Sequence, residues 1–280
     1  MAHMESDRRT GSPESSRFWL SNKIQFNISF NGKVIAGLIF AGLLLSWEMA
    51  AQFGVISPLY FPPPSFILQK IGSLLTNGTL ISNTLITLAR MLIGLVIGGS
   101  LGLVLGLVMG WSDRFREVID PFVAAIHPLP KIAILPLIMV IFGIGNLSIM
   151  IVVAAGAFFP MLINTMSGVV QIHPIHFDVA KNYQASSMKV FQRVILPGSA
   201  PSILAGLRLA LNTTLLLTVA VEMVSSISGL GGMIWMAWTT MRIEEIYSSL
   251  VVITLFGILI NVFLMLLTSW LLPWQEKRSS

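Results

Sequence analysis

Cysteine is absent from the 280 residues and charge is scarce, with Asp, Glu, Lys and Arg making up 10% of the chain against 55% hydrophobic residues. The lack of cysteine excludes a disulfide framework, a thiolate metal site and a cysteine nucleophile. Soluble domains carry about 25% charged residues, and a surface this poor in charge cannot keep a chain of mean hydropathy +0.83 in water. No GxxxxGK[ST] segment and no Gly-rich dinucleotide loop occurs, so any nucleotide the protein depends on is bound by another polypeptide. Nor is there a Ser/His/Asp or paired-carboxylate arrangement that suggests catalysis. What is present in quantity is apolar sequence. No charged residue separates Arg90 from Asp113, Lys131 from Asp178, or Glu245 from Glu276, and each interval can hold a membrane helix of about 20 residues.

The hydropathy pattern predicts an all-α integral membrane protein with six spans, at about residues 34–53, 80–110, 121–142, 147–169, 203–224 and 246–272. Residues 1–32 read as a flexible polar tail without a cleavable signal, 33–79 as the first span and an outer amphipathic segment, 80–272 as the core, and 273–280 as a second tail. Net charge is +5, from 17 cations against 12 carboxylates. Twelve cations fall on one side: Arg8, Arg9, Arg17, Lys23 and Lys33; Arg114 and Arg116; Lys181, Lys189 and Arg193; and Lys277 and Arg278. Lys70 and Arg242 fall on the other. The excess marks the cytoplasmic face and puts both termini there, so the basic balance needs no nucleic-acid partner.

In the second span Gly94, Gly98, Gly102, Gly106 and Gly110 recur every four residues, which opens a groove along one helix face for another backbone. Pro128, Pro130 and Pro136 interrupt the third span, leaving two readings, a kinked helix or a broken one facing a pathway. Outside the spans, Pro62 to Ser65 opens a short amphipathic stretch with Ser65 as its cap. Residues 225–241, with Gly229, Gly231, Gly232, Trp235 and Trp238, read as an outer loop or partial re-entrant turn.

The most informative segment is the cytoplasmic stretch 172–201. Phe177, Ala180 and Tyr183, then Val190, Phe191, Val194 and Ile195, recur at helical spacing. Two short helices are expected, 174–183 and 187–195, the second capped by Ser186 or Ser187 and stopped by Pro197. Asp178-Val179-Ala180, then Gln184, then Val194-Ile195-Leu196-Pro197 resembles the EAA loop (E-A-A-x3-G-x9-I-x-L-P) of bacterial ABC importer permeases. The flanks agree: Pro201-Ser202-Ile203 with Gly206-Leu207-Arg208, Glu222-Met223 with Ser228-Gly229-Leu230-Gly231, Leu129-Pro130-Lys131 with Leu135-Pro136-Leu137, and Phe142-Gly143-Ile144-Gly145. Together they are similar to the nitrate/sulfonate/taurine/bicarbonate branch of the binding-protein-dependent type I permeases, over about residues 55–274. Asp178 replaces the family Glu, and Gln184 replaces the family Gly at a turn expected to need positive φ, where a side chain costs on the order of 1 kcal/mol.

The resemblance implies a type I permease fold with a cytoplasmic coupling hairpin, in the bacterial inner membrane. Two copies would sit on two ATP-binding subunits, fed by an external solute-binding protein, with ATP and Mg held by the ATPases and no metal or cofactor by this chain. It implies that Phe177, Asp178, Ala180, Tyr183, Gln184, Ala185 and Pro197 dock the ATPase, and that the cargo is a small anionic solute of the nitrate, bicarbonate, sulfonate or taurine class. From the residues themselves, the charges inside spans, Arg90, Lys131, Arg208 and Glu222, are candidates to line a pathway. Lys131 is the deepest of them and the leading candidate for contact with an anionic substrate; Arg90 and Arg208 near span ends could also snorkel or pair locally. His173 and His176, an H-x2-H pair without further ligands, read as solvated. A gradient-driven secondary transporter or channel is the rival reading, and it would require an inverted repeat with broken helices in both halves.

Overall fold

The computed structural model describes residues 28–225 and 228–272. The described residues divide into two compact units, one up to Pro64 and one from Ser65. The first contains helix α1 (Ile28–Gln52). The second begins with α2 (Pro64–Thr76), in which Pro64 sits in the first turn, where a missing N–H costs nothing. Ser65 therefore lies inside the helix and is not its cap.

Helix α3 (Thr79–Trp111) is followed by α4 (Asp113–Ile126), a 3-10 turn (Lys131–Ile134) and α5 (Leu135–Phe142). Next come α6 (Asn146–Val170), α7 (Pro174–Asn182) and α8 (Ser187–Val190), which runs through a π turn (Phe191–Ile195) into α9 (Leu196–Ser225). Helices α10 (Leu230–Thr239) and α11 (Ile243–Leu271) complete the described chain. Among the described residues, five helical runs are long and apolar enough to cross a membrane, and the pair α4 and α5, bent by 82°, supplies a sixth crossing if counted as one. The third span is thus broken, because Pro128 and Pro130 remove two amide donors at the bend.

Helix α6 is the centre of the second unit, packed by α3 on one side and α9 on the other. The glycine row explains the first contact: a Cβ on Gly94 would lie 2.6 Å from Val153 Cγ1, one on Gly106 2.6 Å from the Leu162 carbonyl, and one on Gly110 2.5 Å from Val169 Cβ. Without side chains at those points the two backbones close on each other, which is how helices gain van der Waals contact where lipid removes the hydrophobic drive.

Two expectations change. Pro197 does not stop the second hairpin helix; the five-residue π turn widens the register ahead of it, so the lost amide leaves no gap and the helix continues from Ser187 to Ser225. Residues 230–239 form a helix and not a loop, since Leu230, Met233, Ile234 and Ala237 supply an i, i+3, i+4, i+7 apolar face, all four buried.

Candidate functional site

Three groups of chemistry-bearing side chains stand out, and the first is a buried ion pair. On α3, Asn83, Thr87 and Arg90 continue the glycine row toward the N-terminal end of the helix, because the spacing keeps one helix face. Arg90 Nη1 donates to Glu222 Oε1 of α9 at 2.7 Å, with the two side chains 3% and 0% exposed. Arg90 also donates through Nε and Nη2 to Asn146 Oδ1 at 3.0 and 2.7 Å, and through Nη1 to the Ser228 carbonyl. The second carboxylate oxygen of Glu222 accepts from Thr87 Oγ1 at 2.8 Å and from the Gly231 N–H at 3.1 Å. Leu230 N–H donates to Thr87 Oγ1 at 2.8 Å, and Gly229 N–H to Asn83 Oδ1 at 2.7 Å.

The network therefore caps α10 from outside: three backbone donors at or before its first turn find oxygens on α3 and α9. Glu222 adds a negative charge at the positive end of the α10 dipole. The glycines follow from this closeness. Gly229 has φ 122° and Gly231 would place a Cβ 2.7 Å from that of Glu222, so larger residues at either position would displace the carboxylate. Arg90 and Glu222 were both legible as span charges, whereas Asn83, Thr87, Asn146 and Ser228 were missed. The polar run 83, 87, 90 in register with the glycines was the available signal.

Lys131 lies at the bend. Its ammonium donates to the His127 carbonyl and stands 4.9 Å from the centroid of the Phe159 ring. It closes the C-terminus of α4, where a cation suits both the exposed carbonyls and the dipole, and gains a cation–π contact.

The remaining span charge is placed differently. Arg208 is exposed and, among the described residues, makes no ion pair or hydrogen bond. It opens onto a groove of about 740 Å³ between α9 and α11 that also holds Asn212, Thr254 and Asn261.

The hairpin forms the third group. His173 Nδ1 accepts from the Ile175 N–H at 3.3 Å and caps α7. At the other end Ala185 N–H donates to the Ala180 carbonyl and Gln184 N–H to the Lys181 carbonyl, both at 2.9 Å. That is a Schellman turn, and it holds Gln184 at φ 49°, so the positive φ expected at the family glycine position is kept despite the side chain. Tyr183 at the tip is 84% exposed; Phe177, Ala180 and Ala185 are half-buried; Asp178 and Pro197 are exposed. Ala180 faces a cleft of about 500 Å³ between the hairpin arms, with Val179, Val190, Val194, Lys189 and Arg193. Among the described residues no group of three or more His, Cys, Asp or Glu side chains could hold a metal ion.

Gln184→Val is expected to open this turn, since a β-branched side chain in the left-handed region adds on the order of 1 kcal/mol or more of strain. Hydrogen exchange across residues 180–190 measures it, with faster exchange at Gln184 and Ala185 in the Val variant and unchanged or slower exchange in Gln184→Gly.

Residues 98–277 match the model of the family described as "Binding-protein-dependent transport system inner membrane component". The chain belongs to that family. The permease is 31% identical over 242 residues to the putative aliphatic sulfonates transport permease protein SsuC of Bacillus subtilis, covering 86% of this chain and 88% of that protein. It is likewise 31% identical over 242 residues to the taurine transport system permease protein TauC of Escherichia coli, covering 85% and 88%. Among solved structures, an inward-facing methionine ABC transporter, MetNI, aligns with a TM-score of 0.63 at 17% identity, over 69% of this chain and 96% of that one; this shared fold is that of a type I importer permease. The permease is therefore the multi-pass membrane subunit of an ABC importer and not an enzyme. Family membership implies a partner ATPase and a solute-binding protein.

Proposed function

We propose that the permease forms, with a second copy of itself, the path by which a small organic sulfonate enters the cytoplasm, driven by two ATPase subunits that dock on the hairpin and supplied by an external binding protein. The sulfonate class rests on the relatives, whose names specify aliphatic sulfonates and taurine and which match over most of the chain. Both termini are cytoplasmic in this reading, by the distribution of Lys and Arg.

The observation that carries the coupling is continuity. The second arm of the hairpin passes from Ser187 to Ser225 without a break, about 58 Å at 1.5 Å per residue, and so joins the docking surface to the helix that bears Arg208 and Glu222. A rigid element of that kind transmits a displacement which a flexible loop would absorb. Closure of the ATPases on ATP would draw the hairpins together and tilt α9 as one body, alternating access to the cavity at the dimer axis. Docking residues in this reading are Phe177, Asp178, Ala180, Tyr183, Gln184, Ala185 and Pro197. Tyr183 is the best probe of them, because it lies at the rim of the cleft and is 84% exposed, whereas Ala180 is half-buried there beside Lys189 and Arg193.

Tyr183→Asp is expected to weaken ATPase co-purification and ATP-driven taurine uptake by tenfold or more, the loss of about 1.4 kcal/mol or more typical of a buried aromatic anchor. Thermal stability of the isolated permease should be unaltered, since the ring makes little contact within the chain. Wild-type ATPase association and uptake in this variant would refute the docking assignment.

A further inference from the structure

Among the four charges that the sequence pattern puts within spans, three are occupied: Arg90 and Glu222 by each other, and Lys131 by the His127 carbonyl and the Phe159 ring. Arg208 is not. Its neighbour Asn212, one turn along the same face of α9, makes no hydrogen bond among the described residues either. Across the groove, Thr254 and Asn261 of α11 use one donor each on the carbonyl four residues back, at 2.8 and 2.9 Å, which leaves the Asn261 amide oxygen, its second N–H and the Thr254 oxygen lone pairs open. Around these four polar side chains the walls are aliphatic: Leu215, Leu216, Ile253, Ile258, Val262 and Met265.

Polar side chains that face lipid lose their hydration with nothing in exchange, so such a stripe belongs against water or protein. Its depth fits a path more than a surface. Arg208 lies 17 residues before Ser225, about 26 Å along the helix, which places it near the inner edge of a hydrocarbon layer about 30 Å thick. Asn212 lies about 6 Å farther out, and Thr254 about 10 Å from Asn261 along α11. The donors are therefore strung along the membrane normal.

We propose that the α9–α11 groove is the part of this permease that contacts its cargo, with the Arg208 guanidinium and the Asn212 and Asn261 amides donating to a sulfonate group and the aliphatic walls taking its carbon chain. The inference rests on the sulfonate reading given above. A planar guanidinium offers two parallel N–H donors to a tetrahedral oxyanion, and the unpaired amides supply the third direction. The groove, at about 740 Å³, falls within the roughly 300–1,000 Å³ of small-molecule sites. Because cargo must leave as well as enter, one exposed cation and neutral amides suit transit better than a closed cage of charges would. The same oxyanion chemistry is offered by a lipid phosphate, toward which Arg208 could extend if α9 and α11 faced the bilayer.

The absence of cysteine makes the test direct, as Asn212→Cys and Asn261→Cys each introduce the sole thiol of the permease. The wild-type and variant permeases are assembled with their ATPase and binding protein in proteoliposomes. They are treated with the charged sulfonate reagent 2-sulfonatoethyl methanethiosulfonate or with membrane-permeant N-ethylmaleimide, and [35S]taurine uptake is followed in parallel. Both thiols should react with the charged reagent, and taurine during turnover should slow that reaction at least threefold, whereas Leu259→Cys, exposed on another face of α11, should react only with N-ethylmaleimide. Arg208→Gln should lower the maximal taurine uptake rate at least tenfold with ATPase association unchanged, and Arg208→Lys should keep a third or more of it. Thiols that react with N-ethylmaleimide alone, or wild-type uptake in Arg208→Gln, would overturn the groove and favour a lipid phosphate as the Arg208 partner. Wild-type proteoliposomes that import no sulfonate would overturn the sulfonate reading itself, whatever the reactivity of the groove.

Discussion

Glu222→Leu is expected to cost the permease about 3–5 kcal/mol, the usual penalty for breaking a buried ion pair from one side. Leucine fills most of the space but leaves the Arg90 guanidinium charged and enclosed, and withdraws the acceptor from Thr87 Oγ1 and from the Gly231 N–H. Against a total stability of roughly 5–15 kcal/mol, that is enough to leave little folded protein after extraction. Arg90→Met should be comparably damaging. Even Arg90→Lys should fail to restore wild-type stability, because a single ammonium cannot meet Glu222, Asn146 and Ser228 at once as the guanidinium fork does. The double variant Arg90→Met/Glu222→Leu removes both charges together and should cost less than the sum of the single changes, with a coupling of about 0.5–3 kcal/mol. Unfolding in mixed micelles, followed by tryptophan fluorescence, measures all four; losses below about 1 kcal/mol in each single variant would show that the pair is not the clamp at the head of α10.

Which of these relationships a sequence can reveal depends on their range. Lipid imposes its demand residue by residue, so the second and fourth spans were legible almost to their ends, 80–110 against Thr79–Trp111 and 147–169 against Asn146–Val170. The turn at Gln184 was legible too, since a Schellman turn is local and its left-handed residue follows from the hairpin. The span charges were visible one at a time, yet the partnership of Arg90 with Glu222, 132 positions away, leaves no local pattern. Residues 230–239 were misread because glycine usually breaks helices; here Gly231 serves the approach of Glu222, and the apolar period of Leu230, Met233, Ile234 and Ala237 was the better guide. The start of α9 was misplaced for a related reason. Proline ordinarily terminates a helix, whereas Pro197, within the first turn of a helix that follows a π turn, withdraws no needed donor.

The glycine row allows a test with its own internal reference, because Gly98 and Gly99 are adjacent on α3 and meet different surroundings. A Cβ on Gly98 would run into the Ala154 carbonyl and lie 2.6 Å from its carbon and 2.8 Å from its Cα, all backbone of α6 and unable to rotate away. One on Gly99 would meet Met161 Cγ at 3.7 Å and Leu95 Cδ1 at 3.9 Å, ordinary contacts with flexible side chains. Gly98→Ala is therefore expected to force α3 and α6 apart and cost about 1–3 kcal/mol. Gly98→Leu should cost more, to the point where the permease no longer survives purification. Gly99→Ala, at the next position, should be neutral or stabilising by up to about 1 kcal/mol, since alanine loses less backbone freedom in a helix than glycine. The comparison removes helix propensity as an explanation, because both changes improve it equally and only one closes a gap that α6 already fills. Equal melting temperatures for Gly98→Ala and Gly99→Ala would mean that the two helices have room to separate at no cost, and that the four-residue glycine spacing does not govern their approach.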